Sequence, residues 1–537
     1  MYRIVPFLIA MTISWITGPL AAQAPPVPPV GDSLLPVEIL PGVRKLEFRK
    51  LDDSTQLQIL AGTVKLRQGT SFFYCDSCVI NDRTKTFEAW GNVHINDSDT
   101  THVYAGHLRY LIDKRYAYLD GGVRLTDGRG TLTTPDLEYD LATSIGTYRN
   151  GGRVVNKKTT LTSREGYYYS NLHDVYFKGT VVLTDPAYTI RTDSLLYNTQ
   201  SQLTRFIART YIRDSSGRVI ETREGFYNLA TGKAEFGQRP VIRDGKTTIT
   251  ANRVAIDDST GISQAIGNVV IVDSAQGTTI LAGEVFRDNK RERFLATRKP
   301  LMIIRQEADS IFITADTLFS ARLSDLRAGE DSLVKDTLRG TRVVTLKQKD
   351  STNRYLEAYR NVRIFSDSLQ AAGDSLFYSF RDSVFRLYQQ PVVWAQQSQI
   401  TGDTLLLHTK NRKADRVQAF PNSFLVNRLE AGIYNQVRAQ RMDGYFTNGD
   451  IDSVRASGDA RCIYFIQDED SAYTGINESA AEIMDIYFSR KELEKVVFRT
   501  RVKGTLWPVR EKDPATMRLE GFRWLDDRRP KSRFALY

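Results

Sequence analysis

The chain has little of what most site chemistry needs. Its 537 residues include three cysteines, Cys75, Cys78 and Cys462, and five histidines, His94, His102, His107, His173 and His408. Cys75-Asp-Ser-Cys78 is a lone pair with no second one, which gives poor support for a zinc site. In a continuous strand these two thiols point to opposite faces, and bridging them needs a local bend. They read as core-filling thiols or a minor disulfide, and Cys462 as a buried thiol. The histidines are too few and too scattered to ligate a metal; His102 and His107 fall on opposite faces of a straight strand. There is no Gly-x-Ser-x-Gly, no His-Glu-x-x-His and no phosphate-cradling glycine loop at a strand-to-helix junction. Carboxylates are plentiful, but the aspartates sit in turns and in a recurring Asp-x-Leu-x-Tyr beat, where turn chemistry accounts for them. A carbohydrate-cleaving β-helix is the enzymatic alternative, and it rests on fold analogy alone.

Long Ala/Leu/Glu/Lys stretches are nearly absent as well, while 26 Tyr and 25 Phe stand beside many Val, Ile and Thr. This composition favours strands. Long apolar runs are missing after the N-terminus, so no later segment spans a bilayer as a helix. The N-terminus itself reads MYRIVPFLIAMTISWITGPLAAQAPPVPPV. Arg3, the apolar Phe7–Ile16 and the small-residue exit at Leu20-Ala21-Ala22 predict a cleaved signal peptide over 1–22. The apolar run is shorter than the roughly 20 residues of a membrane span, and no cysteine follows it to carry a lipid anchor. The expectation is an exported protein of the periplasm, with association to the outer membrane open. The net charge of +10 permits nucleic acid, anionic membrane or anionic glycolipid as partner. Export argues against nucleic acid, which leaves an anionic ligand of the envelope.

What the chain has in quantity is repetition. One beat is written GNVHI (Gly91–Ile95), GGVRL (Gly121–Leu125), GTVVL (Gly179–Leu183) and GNVVI (Gly267–Ile271), then RNVRI (Arg360–Ile364) and QPVVW (Gln390–Trp394). A second is written GHLRY (Gly106–Tyr110), PDLEY (Pro135–Tyr139) and DSLLY (Asp193–Tyr197), then DTLFS (Asp316–Ser320) and DSLFY (Asp374–Tyr378). The period is about 28–32 residues, and roughly a dozen units fit between Gly62 and Thr500. Apolar positions alternate within each unit, so the unit is two half-buried extended legs. Small or turn-prone residues interrupt each leg midway, as at Ala105-Gly106 and Asp120-Gly121-Gly122, which marks bends.

Bent legs that each give one strand to two facing sheets stack into an elongated all-β sandwich, an open jelly roll of roughly 120 Å. A right-handed β-helix with one coil per unit is the alternative. A transmembrane barrel fits poorly, because charges interrupt nearly every strand and no lipid-facing band separates out. The chain divides into a Pro-rich leader over 23–50, read as a linker, repeats over 51–321, a charged insertion over 322–345, further repeats over 346–504 and a C-terminal tail over 505–537. The insertion is expected as a long loop or short helix. Glu478–Phe498 is expected as a short helical excursion or an atypical capping repeat.

The apolar ladder is the candidate site. Val93, Ile95, Leu108, Tyr110, Val123, Leu125, Leu137, Tyr139, Val181, Leu183, Leu195 and Tyr197 recur at equivalent places in their units. Sealed, they are ordinary core; splayed along one seam, they line a continuous groove able to hold acyl chains. Composition and spacing leave both open.

The recurring Gly-Asn-Val-x-Ile and Asp-x-Leu-x-Tyr pattern resembles the OstA-like domain shared by the lipopolysaccharide-transport protein LptA and the periplasmic N-terminal part of LptD. Gly91–Ile95, Gly267–Ile271, Asp193–Tyr197, Ala315–Leu318 and Asp374–Tyr378 carry the resemblance. The long stand-alone OstA-like proteins of the Bacteroidetes type are similar too, including over FFYCDSCVINDRTKTFEAWGNVHI. The resemblance implies a splayed jelly roll that shields lipid A acyl chains between the two membranes, with no enzymatic activity and no cofactor. It also implies end-to-end docking with other jelly-roll transport components through unpaired edge strands. The chain lacks the run of C-terminal strands that would complete an LptD barrel. The alternative of a different class is a structural or glycan-binding β-solenoid of the envelope.

Overall fold

A strand cannot run straight through two successive residues with positive φ, and the repeated Gly-Asn pair supplies two. The computed structural model of the protein describes residues 35–305, 310–327, 354–410, 413–447, 450–468, 472–489 and 492–536. Gly91 and Asn92 have φ of 74° and 46°, and Gly267 and Asn268 have 76° and 46°. The strand register skips at both places, between Trp90 and Val93 and between Ile266 and Val269. Gly121-Gly122, Gly179-Thr180 and Arg360-Asn361 are the same corner with other side chains. Each long strand that carries such a pair, such as Thr86–Asp97 or Tyr116–Thr126, turns there and serves a different sheet on either side.

The corner also explains several aspartates, Asp136 and Asp316 of the second beat among them. Asn92 Nδ2 donates to Asp76 at 2.8 Å, Asn150 to Asp136 at 3.0 Å, Asn361 to Asp316 at 3.0 Å and Asn422 to Asp403 at 2.8 Å. Each aspartate holds the corner of a neighbouring leg, a structural task.

The strands pair antiparallel throughout, which excludes the stacked parallel coils of a β-helix. One cross-strand row runs unbroken from Glu47 through Arg109, Tyr176, Phe286 and Phe377 to Val497. A second runs from Glu38 through His102, Thr189, Ile303 and Gln399 to Thr505. These are two continuous sheets, joined along one edge by the corners and facing each other across a single core that extends from Leu60 to Phe488. At about 4.8 Å per strand the body is on the order of 120 Å long.

Several expectations change. Glu478–Phe498 is not helical: it falls in strands Tyr473–Ser489 and Glu492–Arg499, because its alternating Ile483, Asp485 and Tyr487 pair across to Ser457, Arg455 and Ser453. Part of the stretch read as leader is in the sheet, with Glu38–Ile39 and Lys45–Asp52 paired on Thr55–Gln68. Cys75 and Cys78 flank a corner, so both thiols turn inward as free, buried groups. The same parity shift at Ala105-Gly106 puts His102 and His107 both on outer faces, bonded to His94 and Asp120. Of the charged insertion only Arg322, the end of strand Thr317–Arg322, and Leu323–Arg327, a short helix, are described; residues 328–353 and the predicted signal peptide lie outside the described residues.

Candidate functional site, a mouth in the seam

Opposite the corners, the free edges of the two sheets meet along a seam. A row of inward residues beside it reads Tyr110, Ala117, Tyr139, Gly146, Tyr168, Val175, Tyr197, Thr204 and Tyr227. Large and small alternate, with a tyrosine about every 29 residues. The small partners leave each ring room to lie across the gap.

Three of these rings are hydrogen-bonded across the gap. Tyr110 donates to Gln68 Oε1 at 2.5 Å and Tyr139 to Asp97 Oδ2 at 2.8 Å, while Asn156 Nδ2 donates to the Tyr197 oxygen at 3.3 Å. Gln68, Asp97 and Asn156 stand at the free end of the other sheet. Burial pushes the Tyr197 phenol up to about 12; burial first, then Asp97, raises Tyr139. Both therefore stay protonated. Of the twelve ladder residues, Tyr110, Tyr139 and Tyr197 stand in this seam and the others, from Val93 and Ile95 to Leu195, lie behind it; all are at most 2% exposed. In this stretch they are sealed core.

The last bridge is built differently. Tyr227 and Tyr188 both donate to Asp258 Oδ2, at 2.8 and 2.7 Å, and Asp258 pairs with Arg218 at 3.0 Å. Beyond it the tyrosines lapse. The row continues Ala234, Ile256, Ser263, Arg287, Phe294, Ser320 and Leu356, and the next tyrosine is Tyr378.

Where they lapse, the seam opens. A cleft of about 540 Å³ lies between Asp214, Asp244 and Asp273 on one side and Arg287, Phe294 and Arg354 on the other. Its floor continues into a small recess of about 30 Å³, lined by the largely buried Ile242, Ile249, Val254, Ile256 and Val285 and by Ile271. Ile271 occupies the place in its unit that Ile95, Leu125 and Leu183 hold in theirs. Those three are at most 1% exposed, whereas Ile271 is half-buried.

The rim is charged in both signs. Arg354 donates to Ser320 Oγ at 3.2 Å and to the Glu292 carbonyl at 3.1 Å, and Arg322 pairs with Glu292 at 2.7 Å. Burial pulls the Arg354 guanidinium below its ordinary value, partly offset by Glu292, and hydrogen bonding from Arg322 lowers Glu292. An apolar floor under a charged rim fits a molecule that is greasy at one end and ionic at the other. Among the described residues no three His, Cys, Asp or Glu side chains converge to hold a metal ion.

The signal for this mouth lay in the second beat. GHLRY, PDLEY, DSLLY and DSLFY end in tyrosine, but Gly283–Arg287 ends in arginine and Asp316–Ser320 in serine. Sequence reasoning counted the copies and passed over the missing ring.

The family described as OstA-like protein matches residues 39–193. This stretch is OstA-like. The OstA-like stretch holds the tyrosine-sealed part of the seam through Tyr168, and the mouth lies beyond it. Among solved structures, LptH of Pseudomonas aeruginosa, the LptA homologous periplasmic component of the conserved lipopolysaccharide transport device, is similar at 10% identity. The match covers 27% of this chain and 82% of LptH, with a TM-score of 0.19. Comparison with curated proteins finds no match. No helix among the described residues is long and apolar enough to cross a membrane.

Proposed function

We propose that the chain is a lipopolysaccharide-carrying bridge or chaperone of the periplasm, and that acyl chains enter its interior through the mouth between Asp258 and Ser320. The half-open Ile271, set against its sealed counterparts, carries this reading. The OstA-like match over residues 39–193 supports it, as does the pairing of an apolar recess with rim arginines suited to phosphate or carboxylate. The sealed ladder from Val93 to Tyr197 is then the shut continuation of the trough, opened only when its tyrosine bridges part.

The ends of the body suit docking. Among the described residues strand Lys45–Asp52 pairs on one side only. Its Leu46 and Phe48, which continue the inner rows, are 47% and 58% exposed. A second jelly-roll edge added there would extend both sheets and cover those side chains. The proposed partners are other envelope transport proteins with such an edge; neither a cofactor nor nucleic acid has a place in the reading.

Photo-crosslinking tests it. A photoreactive residue at Ile256, Ile271 or Met302 is expected to give lipopolysaccharide adducts in irradiated cells, with none at Lys114 on the surface. Exported, folded protein without adducts at the mouth or at Leu108 and Leu195 would leave a sealed structural rod as the better account.

A further inference from the structure

The C-terminal segment does not end the stack. After strand Lys503–Pro508 it turns back and crosses the outer face of the second sheet, over strands from Tyr473–Ser489 back to Arg354–Phe365. It touches in turn Ile463 and Ile476, then Gln436, Gln399, Gln370 and finally Arg363.

The face beneath is built for it. One cross-strand row reads Gln370, Trp394, Gln399, Val426, Gln436 and Ile463, and every member is buried. On an outer sheet face, glutamines that recur on every second strand are costly unless each amide is satisfied. They are satisfied by the segment's main chain. Gln436 Nε2 donates to the Met517 carbonyl at 2.9 Å and its Oε1 accepts from the Leu519 N–H at 2.8 Å. Gln399 does the same, to the Arg523 carbonyl at 2.9 Å and from the Leu525 N–H at 2.8 Å. Gln370 Oε1 accepts from Arg529 at 2.9 and 2.6 Å. Two side-chain amides thus each grip a carbonyl and an N–H two residues on, as a strand neighbour would. Between them, Phe522 packs on Tyr434 and the Arg518 guanidinium stacks over both rings at 5.1 and 4.7 Å. Leu525 covers Trp394.

The segment is held the way a ligand is held. The described main-chain hydrogen bonds of residues 513–536 with other main-chain groups are local turns, such as Phe522 to Leu519 and Arg528 to Leu525. No ladder joins the segment to the body. Clefts of about 510 and 580 Å³ flank it, beside Arg438 and Glu520 and beside Arg363 and Asp527.

We propose that the outer face over Gln370, Gln399 and Gln436 is a peptide-binding site. Its resident ligand is the chain's own segment 513–536, and it accepts the same segment from a second copy of this chain. The ligand class is an extended peptide with apolar residues at the two amide grips and an arginine for Gln370.

The test begins with the intact chain carrying a protease site between Lys512 and Asp513. After folding and cleavage, a labelled synthetic peptide of residues 513–537 is expected to exchange into the face, while circular dichroism shows the body still folded. Gln399→Ala and Gln436→Ala should each weaken the peptide by about tenfold, from the loss of two hydrogen bonds. Arg518→Ala in the peptide, which removes a hydrogen bond to the Gly432 carbonyl at 2.6 Å and the stack over Tyr434, should weaken it as well. A cleaved segment that the peptide cannot displace from a folded body would overturn the proposal. So would a body that unfolds as the segment leaves, or glutamine variants that bind the peptide unchanged.

Discussion

At the scale of single residues, the corners carry the architecture. At Gly91, with φ of 74°, an added Cβ would sit 2.4 Å from Asp76 Oδ2 and displace the Asn92 bond; at Gly122, with φ of 85°, it would meet nothing within 4 Å. Gly91→Ala therefore combines a steric clash with the backbone penalty of about 1–2 kcal/mol, and Gly122→Ala carries the backbone penalty alone. Stacked units respond locally, so a global midpoint is the wrong readout. Hydrogen exchange is expected to quicken by about tenfold or more in Ser71–Asn81 and Thr86–Asp97 for Gly91→Ala. It should stay unchanged in Ser423–Glu430, and an equal effect from both substitutions would remove Asp76 from the account. Cys462, pushed up to about 12 by burial, shows the other residue-scale pattern. It is a thiol used for its volume, as the sequence suggested.

At the scale of elements, the tyrosine bridges decide whether two strands face each other shut or apart. Tyr139→Phe removes the donor to Asp97 Oδ2, leaving the buried carboxylate with Ser71 at 2.8 Å and Ser98 at 3.5 Å, both on Oδ1. The expected cost is about 1–3 kcal/mol, seen as faster exchange across Thr131–Asp140. Tyr197→Phe should cost less, because Asn156 keeps its bond to the Thr199 carbonyl at 2.8 Å. Equal costs would mean that packing alone, and no hydroxyl, closes the seam. Near the C-terminus a different device ties three strands. Asp485 accepts from Arg455 at 2.7 Å and from Arg499 at 2.8 Å. The Arg455 hydrogen bond, then that of Arg499, outweighs desolvation and holds its carboxyl below the usual range. A depressed folded-state value stabilises the protein above the unfolded-state value of about 3.9, and this is lost as pH falls through the folded one. Asp485→Asn should therefore loosen Tyr473–Ser489 at neutral pH and match the parent at acid pH. Exchange of those strands measured at both ends of the range checks the sign.

At the scale of the molecule, a long body with one open stretch poses the question of entry. Replacing Arg287 with the missing ring is the direct probe: Arg287→Tyr puts a tyrosine back into the row at the mouth. It is expected to leave export and folding intact while reducing lipopolysaccharide adducts at Ile271 several-fold. Undiminished adducts would place entry elsewhere, at an end of the stack.

Much of this was legible in the residues. Period-two alternation, the mid-leg glycines and the tandem beats were enough to reach a bent, two-sheet sandwich, because strand faces and corners are local properties of φ and side-chain parity. The ladder was legible as apolar and inward for the same reason. Its state was not: Ile95 and Ile271 are written in the same motif, and only the neighbours across the seam, Tyr139 with Asp97 in one case and Arg287 in the other, make one sealed and one half-open. Cys75 and Cys78 show the limit again, since their shared inward direction depends on where a corner falls between them.

The sequence alone determined a repeating all-β chain, its corners, its inward ladder and its likeness to OstA-like proteins, all written in residues near one another along the chain. The tertiary structure alone decided where the trough is shut, where it opens and what lies on its back. Those depend on pairs about 42 residues apart across the seam, as Tyr110 is from Gln68, and on a segment that folds back over more than a hundred residues, from Leu525 to Gln399. Contacts at such separations follow from how units stack; the lapse of the tyrosine beat marks where they change, and only the stacking sets what each ring meets across the seam.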